Sequence, residues 1–290
     1  MDAEEKIKIL EAGKLGRKAL EVASSLIEPG ALFLDVAEKT ENFIRENGGK
    51  PSFPLNLSIN NEAAHYTPAP NDKKTFKTGD LVKVDIGAQI DGYISDNATT
   101  VEIGGKGDYS NLIDCTREAL NAALKVLRPN IEIYKIGQAI GEKIESFGFK
   151  PVKNLGGHGI KRNDLHSTIF IPNYDDGNGR RIENGQLIAI EPFASTGIGL
   201  IHNGMGGNIY IFSGTKPDPK DPVIQNFSTL PFAERWLAKV KPDYKDYLKK
   251  NLFMKQISHF AVLKEHKGAM ISQAEHTILF DGDQIIVTTQ

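Results

Sequence analysis

Cysteine is nearly absent from this chain: Cys115 is the single one in 290 residues, which excludes an intramolecular disulfide framework. It falls in a helix-like stretch, Tyr109 to Leu127, where a small buried hydrophobe is the expected role. Net charge is also close to absent. Thirty-five Lys and Arg against 37 Asp and Glu give −2, so no global field draws the protein to nucleic acid or an anionic membrane. No run of about 18 apolar residues occurs, and MDAEEKIKIL lacks the basic-then-apolar order of a secretory signal. The expectation is a cytoplasmic protein with no membrane and no specific nucleic acid among its partners. At 40% hydrophobic content the chain can bury a sizeable core, as one domain or one domain with an insertion.

Apolar residues recur at helical spacing from Ala3 to Ile27, with Asp2 placed to cap the start, and again from Leu34 to Glu46 before Gly48 and Gly49. Leu81 to Gly87 alternates Val82, Val84 and Ile86 against Lys83, Asp85 and Gly87, the pattern of a strand with two different faces. A turn at Asp91-Gly92 and a partner strand from Tyr93 to Ile103 follow, then helices over Tyr109 to Leu127 and Ile136 to Phe147. Strand-like runs return at Leu187 to Phe193, His276 to Phe280 and Gln284 to Thr288. Between them, after a proline-rich start at Pro217 to Pro222, Val223 to Lys267 reads as a helical insertion with its own aromatic core. The expected organisation is a single catalytic domain, 1–290, with a helical insertion over 215–268. No short-period repeat or low-complexity tract is evident.

A hairpin centred between Ile90 and Asp91 sets Asp85 directly opposite Asp96. Carboxylates about 4.5–5.5 Å apart repel unless a cation lies between them; the alternative is a solvent-facing edge hairpin. Glu191 interrupts the apolar run Leu187-Ile188-Ala189-Ile190-Glu191-Pro192-Phe193, and an unpaired carboxylate buried there costs several kcal/mol unless it is paired, neutralised or metal-bound. Glu275 stands just before the run His276 to Phe280, and His158 lies in Gly156-Gly157-His158-Gly159, where glycines permit close backbone approach. Alone, such a histidine is as well explained by a structural hydrogen bond. As a set, one imidazole and four carboxylates suit Mn(II), Fe(II) or Co(II) and tolerate Zn(II). Four negative charges balance two divalent ions, and two ions can share a water, polarise a carbonyl and hold a free amine, the requirements of peptide hydrolysis.

VDIGAQIDGYISDNATT, NLGGHGI with LHSTIFIPN, LIAIEPFAS and SQAEHTILF together resemble the methionine aminopeptidase family, over nearly the whole chain from Glu4 to Ile286. NNEAAHYTPAP is similar to the segment carrying that family's substrate-side histidine, and the insertion and short N-terminus resemble its archaeal type 2 members. The resemblance implies an α+β pita-bread fold, two pseudo-symmetric halves of antiparallel sheet backed by helices, and removal of initiator methionine from nascent polypeptides by a bridging hydroxide between two divalent ions. It implies that Asp85 chelates one ion, that Asp96 and Glu275 bridge both, and that His158 and Glu191 each complete a coordination sphere. Glu191 resembles the family's proton shuttle, and His65 and His166 the histidines that bind the scissile amide and its oxyanion. Phe53, Leu165, Phe193 and His202 match positions lining the methionine pocket. Lys161-Arg162-Asn163-Asp164 and the glycine-rich Gly204 to Ile209 depart from the usual pattern and bear on pocket shape. The competing readings are an Xaa-Pro aminopeptidase or prolidase, and a non-catalytic relative contacting RNA or the ribosome through Lys239, Lys241, Lys245, Lys249, Lys250 and Lys255. A monomer, with ribosome proximity, is the implied working state.

Overall fold

The computed structural model describes residues 1–105, 107–214 and 218–290. Helix α1 (Ala3–Leu26) starts from a capping box: the Glu5 amide donates to Asp2 Oδ1 at 2.8 Å, and the Asp2 amide donates to the Glu5 carboxylate at 3.2 Å. With α2 (Phe33–Glu46) it covers a three-stranded antiparallel sheet ordered Asn56–Ile59, Leu81–Ile86, Asn97–Glu102. Leu15, Ala19, Phe33, Val36, Ile44, Val82, Val84 and Ile86 share one core, so the apolar face of the central strand meets the helices. Lys83 and Asp85 therefore point away from them.

A second half repeats this plan. Helices α3 (Ser110–Val126) and α4 (Ile133–Ser146) back a five-stranded sheet ordered Asp164–Pro172, Gly156–Lys161, Leu187–Ile190, His276–Asp281, Gln284–Val287. Ile133, Ile136, Ile140, Ile188, Ile190, Ile278 and Phe280 form its core. Cys115 is buried in that core as expected, its thiol pushed up to about 12 by burial. The halves lie 100 residues apart in the sequence: α2 and α4 span 33–46 and 133–146, and short strands occupy Lys50–Pro51 and Lys150–Pro151. Ala19 and Ala119, Ile44 and Ile144, and both Lys-Pro pairs are identical across that interval.

Two expectations are corrected. The apolar run from Leu187 is not one strand, because Pro192 has no N–H to donate and the chain breaks at Glu191-Pro192 between Leu187–Ile190 and Phe193–Ser195. The insertion is helical only in part. Its expected start at 215–217 lies outside the described residues; α5 (Pro222–Phe227), α6 (Glu234–Val240) and α7 (Tyr244–Phe253) follow, but Ile257–Lys264 is a strand. It lies between His202–Phe212 and Glu62–Ala64 in a four-stranded sheet, supplying both neighbours with ladder partners. A buried network fastens α6 to α2. Glu41 accepts from the Arg235 guanidinium and from Trp236 Nε1 at 2.6 Å, while Arg235 also donates to Thr67 Oγ1 at 2.8 Å. No helix among the described residues is long and apolar enough to cross a membrane.

Candidate metal centre and substrate cavity

The two half-sheets converge on a cavity of about 350 Å³ lined by Asp85, Asp96, His158, Glu191 and Glu275, the five residues expected to hold metal. His65, His166, Phe53, Leu165 and Phe193 line it as well. Asp85 and Asp96 are not directly opposed. The turn places Asp91 and Gly92 at its centre, both with positive φ (51° and 86°), as a type I′ hairpin requires. The register accordingly sets Asp85 opposite Ala98 and Gln89 opposite Ile94, so Asp96 approaches Asp85 on the diagonal of the same face.

His158 sits on the strand Gly156–Lys161, held between two neighbours so close that a Cβ on Gly157 would lie 2.2 Å from the Ala189 carbonyl oxygen. Glycine is the residue that fits there. The His158 Nδ1 lies 3.3 Å from the Gly159 carbonyl, the geometry of an Nδ1–H donor that leaves Nε2 facing Asp96 Oδ2 at 3.4 Å and Glu191 Oε1 at 4.0 Å. Burial lowers its pKa to about 4, so the ring is neutral above that pH, the form in which an imidazole can hold a metal. Asp96, His158 and Glu275 each bring one ligand atom to within 4.8 Å of the others.

The carboxylates fit a cation. Among the described residues, Asp85 Oδ1, Asp96 Oδ1 and both Glu275 oxygens are buried with no hydrogen-bond partner, and the lining contains no Lys or Arg. Burial first, and then the neighbouring carboxylates, raise Asp85, Glu191 and Glu275 well above the usual range; burial raises Asp96 to about 7. Buried acceptors of like charge without donors are what a divalent ion satisfies.

His65 takes positive φ (68°), a strained backbone that turns its ring into the cavity, edge-on to Phe260 at 5.1 Å. Burial and then His166 lower its pKa to about 4. The His166 ring packs 4.4 Å from that of His158 and is driven towards the neutral form by desolvation, with a further push from His158. His202 does not reach this wall. It is exposed at the start of its strand, opposite Lys264, and register shifts between Asn203 and Ile209 hand the lining position to Ile209. Phe260 was missed because Ile257–Lys264 was assigned to the helical insertion, though its β-branched and aromatic residues carried the strand signal, and Ile209 because His202 was expected at its place.

Fold and site together define a metal-dependent hydrolase of the pita-bread class, with its acidic centre in the cleft between pseudo-symmetric halves. The chain belongs to metallopeptidase family M24, whose model matches residues 7–215. It is 43% identical to a methionine aminopeptidase of Methanocaldococcus jannaschii, over 100% of both chains. Methionine aminopeptidase from Thermotoga maritima shares the fold at TM-score 0.74 and 25% identity, covering 100% of this chain and 98% of that one. A thermophilic Arx1 superposes at TM-score 0.85 and 18% identity, covering 99% and 91%.

Proposed function

We propose that this chain removes the initiator methionine from polypeptides, as a dinuclear aminopeptidase whose ions are held by Asp85, Asp96, His158, Glu191 and Glu275. The observation that carries the reading is the convergence of these residues, with the unpartnered buried oxygens of Asp85, Asp96 and Glu275, in one cavity of a chain similar over its full length to methionine aminopeptidases. Bound divalent ions would supply an activated water and a polarised scissile carbonyl. Mn(II), Fe(II) and Co(II) suit an oxygen-rich set with one imidazole, and Zn(II) is accommodated.

Glu191 accepts the proton of the attacking water and returns it to the leaving amine, a role worth about 10² to 10⁴ in rate. His65 and His166, held neutral, present N–H donors to the scissile amide and its developing oxyanion. Phe53, Leu165 and Phe193, with Ile209 and Phe260, enclose the methionine side chain. Shape has to supplement hydrophobicity there, because a methylene is worth only about 1–3 kcal/mol in such a pocket. The reading extends to a monomer that acts in the cytoplasm beside the ribosome, where new N-termini emerge. Cleavage of Met-Ala-Ser with added Mn(II) or Co(II) tests the reading, and exclusive hydrolysis of Xaa-Pro peptides rejects it.

A further inference from the structure

An aminopeptidase holds the amino end of its substrate inside and has to let the rest of the chain out, so the residues at the mouth of the cavity meet whatever follows the scissile bond. The mouth lies along the strand Asp164–Pro172, the outermost of its sheet. Phe53, Leu165, Ile169, Phe193 and Ile209 in the lining are at most 6% exposed, whereas Phe170 is 47% exposed. A single exposed phenylalanine is ordinary on a protein surface, but this one has a fixed place. It pairs with His158 in antiparallel register, so the two side chains share the cavity face, while Ile171 beside it is buried in the helix-backed core on the other. Asn154 and Leu155 complete this border. The Asn154 side chain is committed to the backbone of Ile201, donating to its carbonyl at 2.6 Å and accepting from its amide at 2.9 Å. Among the described residues, the charged side chains of the lining are the four candidate carboxylate ligands.

We propose that Phe170 is a specificity-determining residue that receives the side chain of the substrate's third residue, the second beyond the scissile bond, and selects an apolar one there. This rests on the initiator-methionine reading given above and extends it to the substrate class. Side chains of an extended chain alternate from one face to the other, with a rise of about 3.3 Å per residue. Where the wall encloses the methionine side chain, the second residue turns away from it and the third turns back, about 7 Å further on. The wall there offers the Phe170 ring and Leu155, with no charged side chain beyond the ligand cluster. An apolar side chain gains by covering the ring, and a charged one gives up water without finding a partner.

The test offers C-terminally amidated Met-Ala-Phe, Met-Ala-Ser and Met-Ala-Glu to the full chain loaded with Co(II) or Mn(II), each kcat/KM taken relative to Met-Ala-Ser so that changes common to all three cancel. Wild type is expected to favour phenylalanine over serine by about 3- to 10-fold, the range for one aromatic contact, and to disfavour glutamate. Phe170→Ser brings the phenylalanine ratio down to about 1, since the contact is gone. Phe170→Lys, a charge placed at an exposed position, lowers that ratio and raises the one for glutamate. Equal wild-type rates on the three peptides overturn the inference alone. A phenylalanine preference that persists in both variants also overturns it and places the selecting surface elsewhere. So does a wild-type preference for glutamate, which points instead to Arg180, whose guanidinium donates to the Thr168 carbonyl of the same strand at 2.9 Å. A wild-type chain that cleaves none of the three peptides removes the initiator-methionine reading and the inference together.

Discussion

The Thr277 hydroxyl accepts a hydrogen bond from the Asp96 amide and donates one to the Asp96 carbonyl, each at 2.7 Å. Thr100 treats Gln273 in the same way from the opposite half, and between the two threonines the Glu275 amide donates to the Ala98 carbonyl at 3.0 Å. The three contacts follow one antiparallel register. The two halves are thus joined by two side-chain staples flanking a backbone bridge, beside the candidate ligands Asp96 and Glu275.

Thr277→Val keeps the shape of the side chain and removes the staple. It leaves a buried amide and carbonyl unpaired, at about 1–3 kcal/mol for each group. Chemical denaturation of the chelator-treated protein is expected to show that loss, and metal titration a weaker affinity, since Asp96 is no longer fixed.

Glu275→Ala removes the carboxylate proposed to bridge both ions. Turnover of Met-Ala-Ser is expected to vanish, and chelator treatment of wild type to abolish it until Co(II) or Mn(II) is restored. Near-normal activity in the variant would contradict a dinuclear mechanism.

His65→Ala is expected to lower kcat/KM by about 10²- to 10³-fold, the usual loss for one oxyanion donor, with metal content unchanged by elemental analysis. With its pKa lowered to about 4 by burial and then by His166, His65 stays neutral above about pH 5. It contributes no ionisation between pH 6 and 9, so the variant's rate profile across that range should keep the wild-type shape. Loss of metal would instead make His65 a ligand.

Glu41→Ala strands the Arg235 guanidinium, 2% exposed, between α2 and α6. The expected cost is about 3–5 kcal/mol in urea unfolding, because breaking a buried pair from one side leaves an uncompensated charge. Replacing the pair with apolar residues of similar volume should recover most of it, and a loss confined within 1 kcal/mol would show the network to be solvated.

Local chemistry in the sequence determined much of this protein. The helical spacing of α1 to α4, the capping box at Asp2 and the alternation of Val82, Val84 and Ile86 against Asp85 are written in side-chain period. An isolated Glu191 in an apolar run and a histidine among glycines mark a site by their cost of burial. The 100-residue repeat was present too, but few identities survive between halves whose cores tolerate substitution of one apolar residue for another. Tertiary structure alone decided the rest. A turn centred one residue later set Asp85 against Ala98 and brought Asp96 in on the diagonal; bulges swung His202 out and Ile209 in; and pairing drew Ile257–Lys264 out of the insertion into a sheet. Gln273 acquired its place from Thr100, 173 residues away. Register and long-range pairing depend on backbone hydrogen bonds between segments remote in sequence, and those bonds have no signature in the residues that make them.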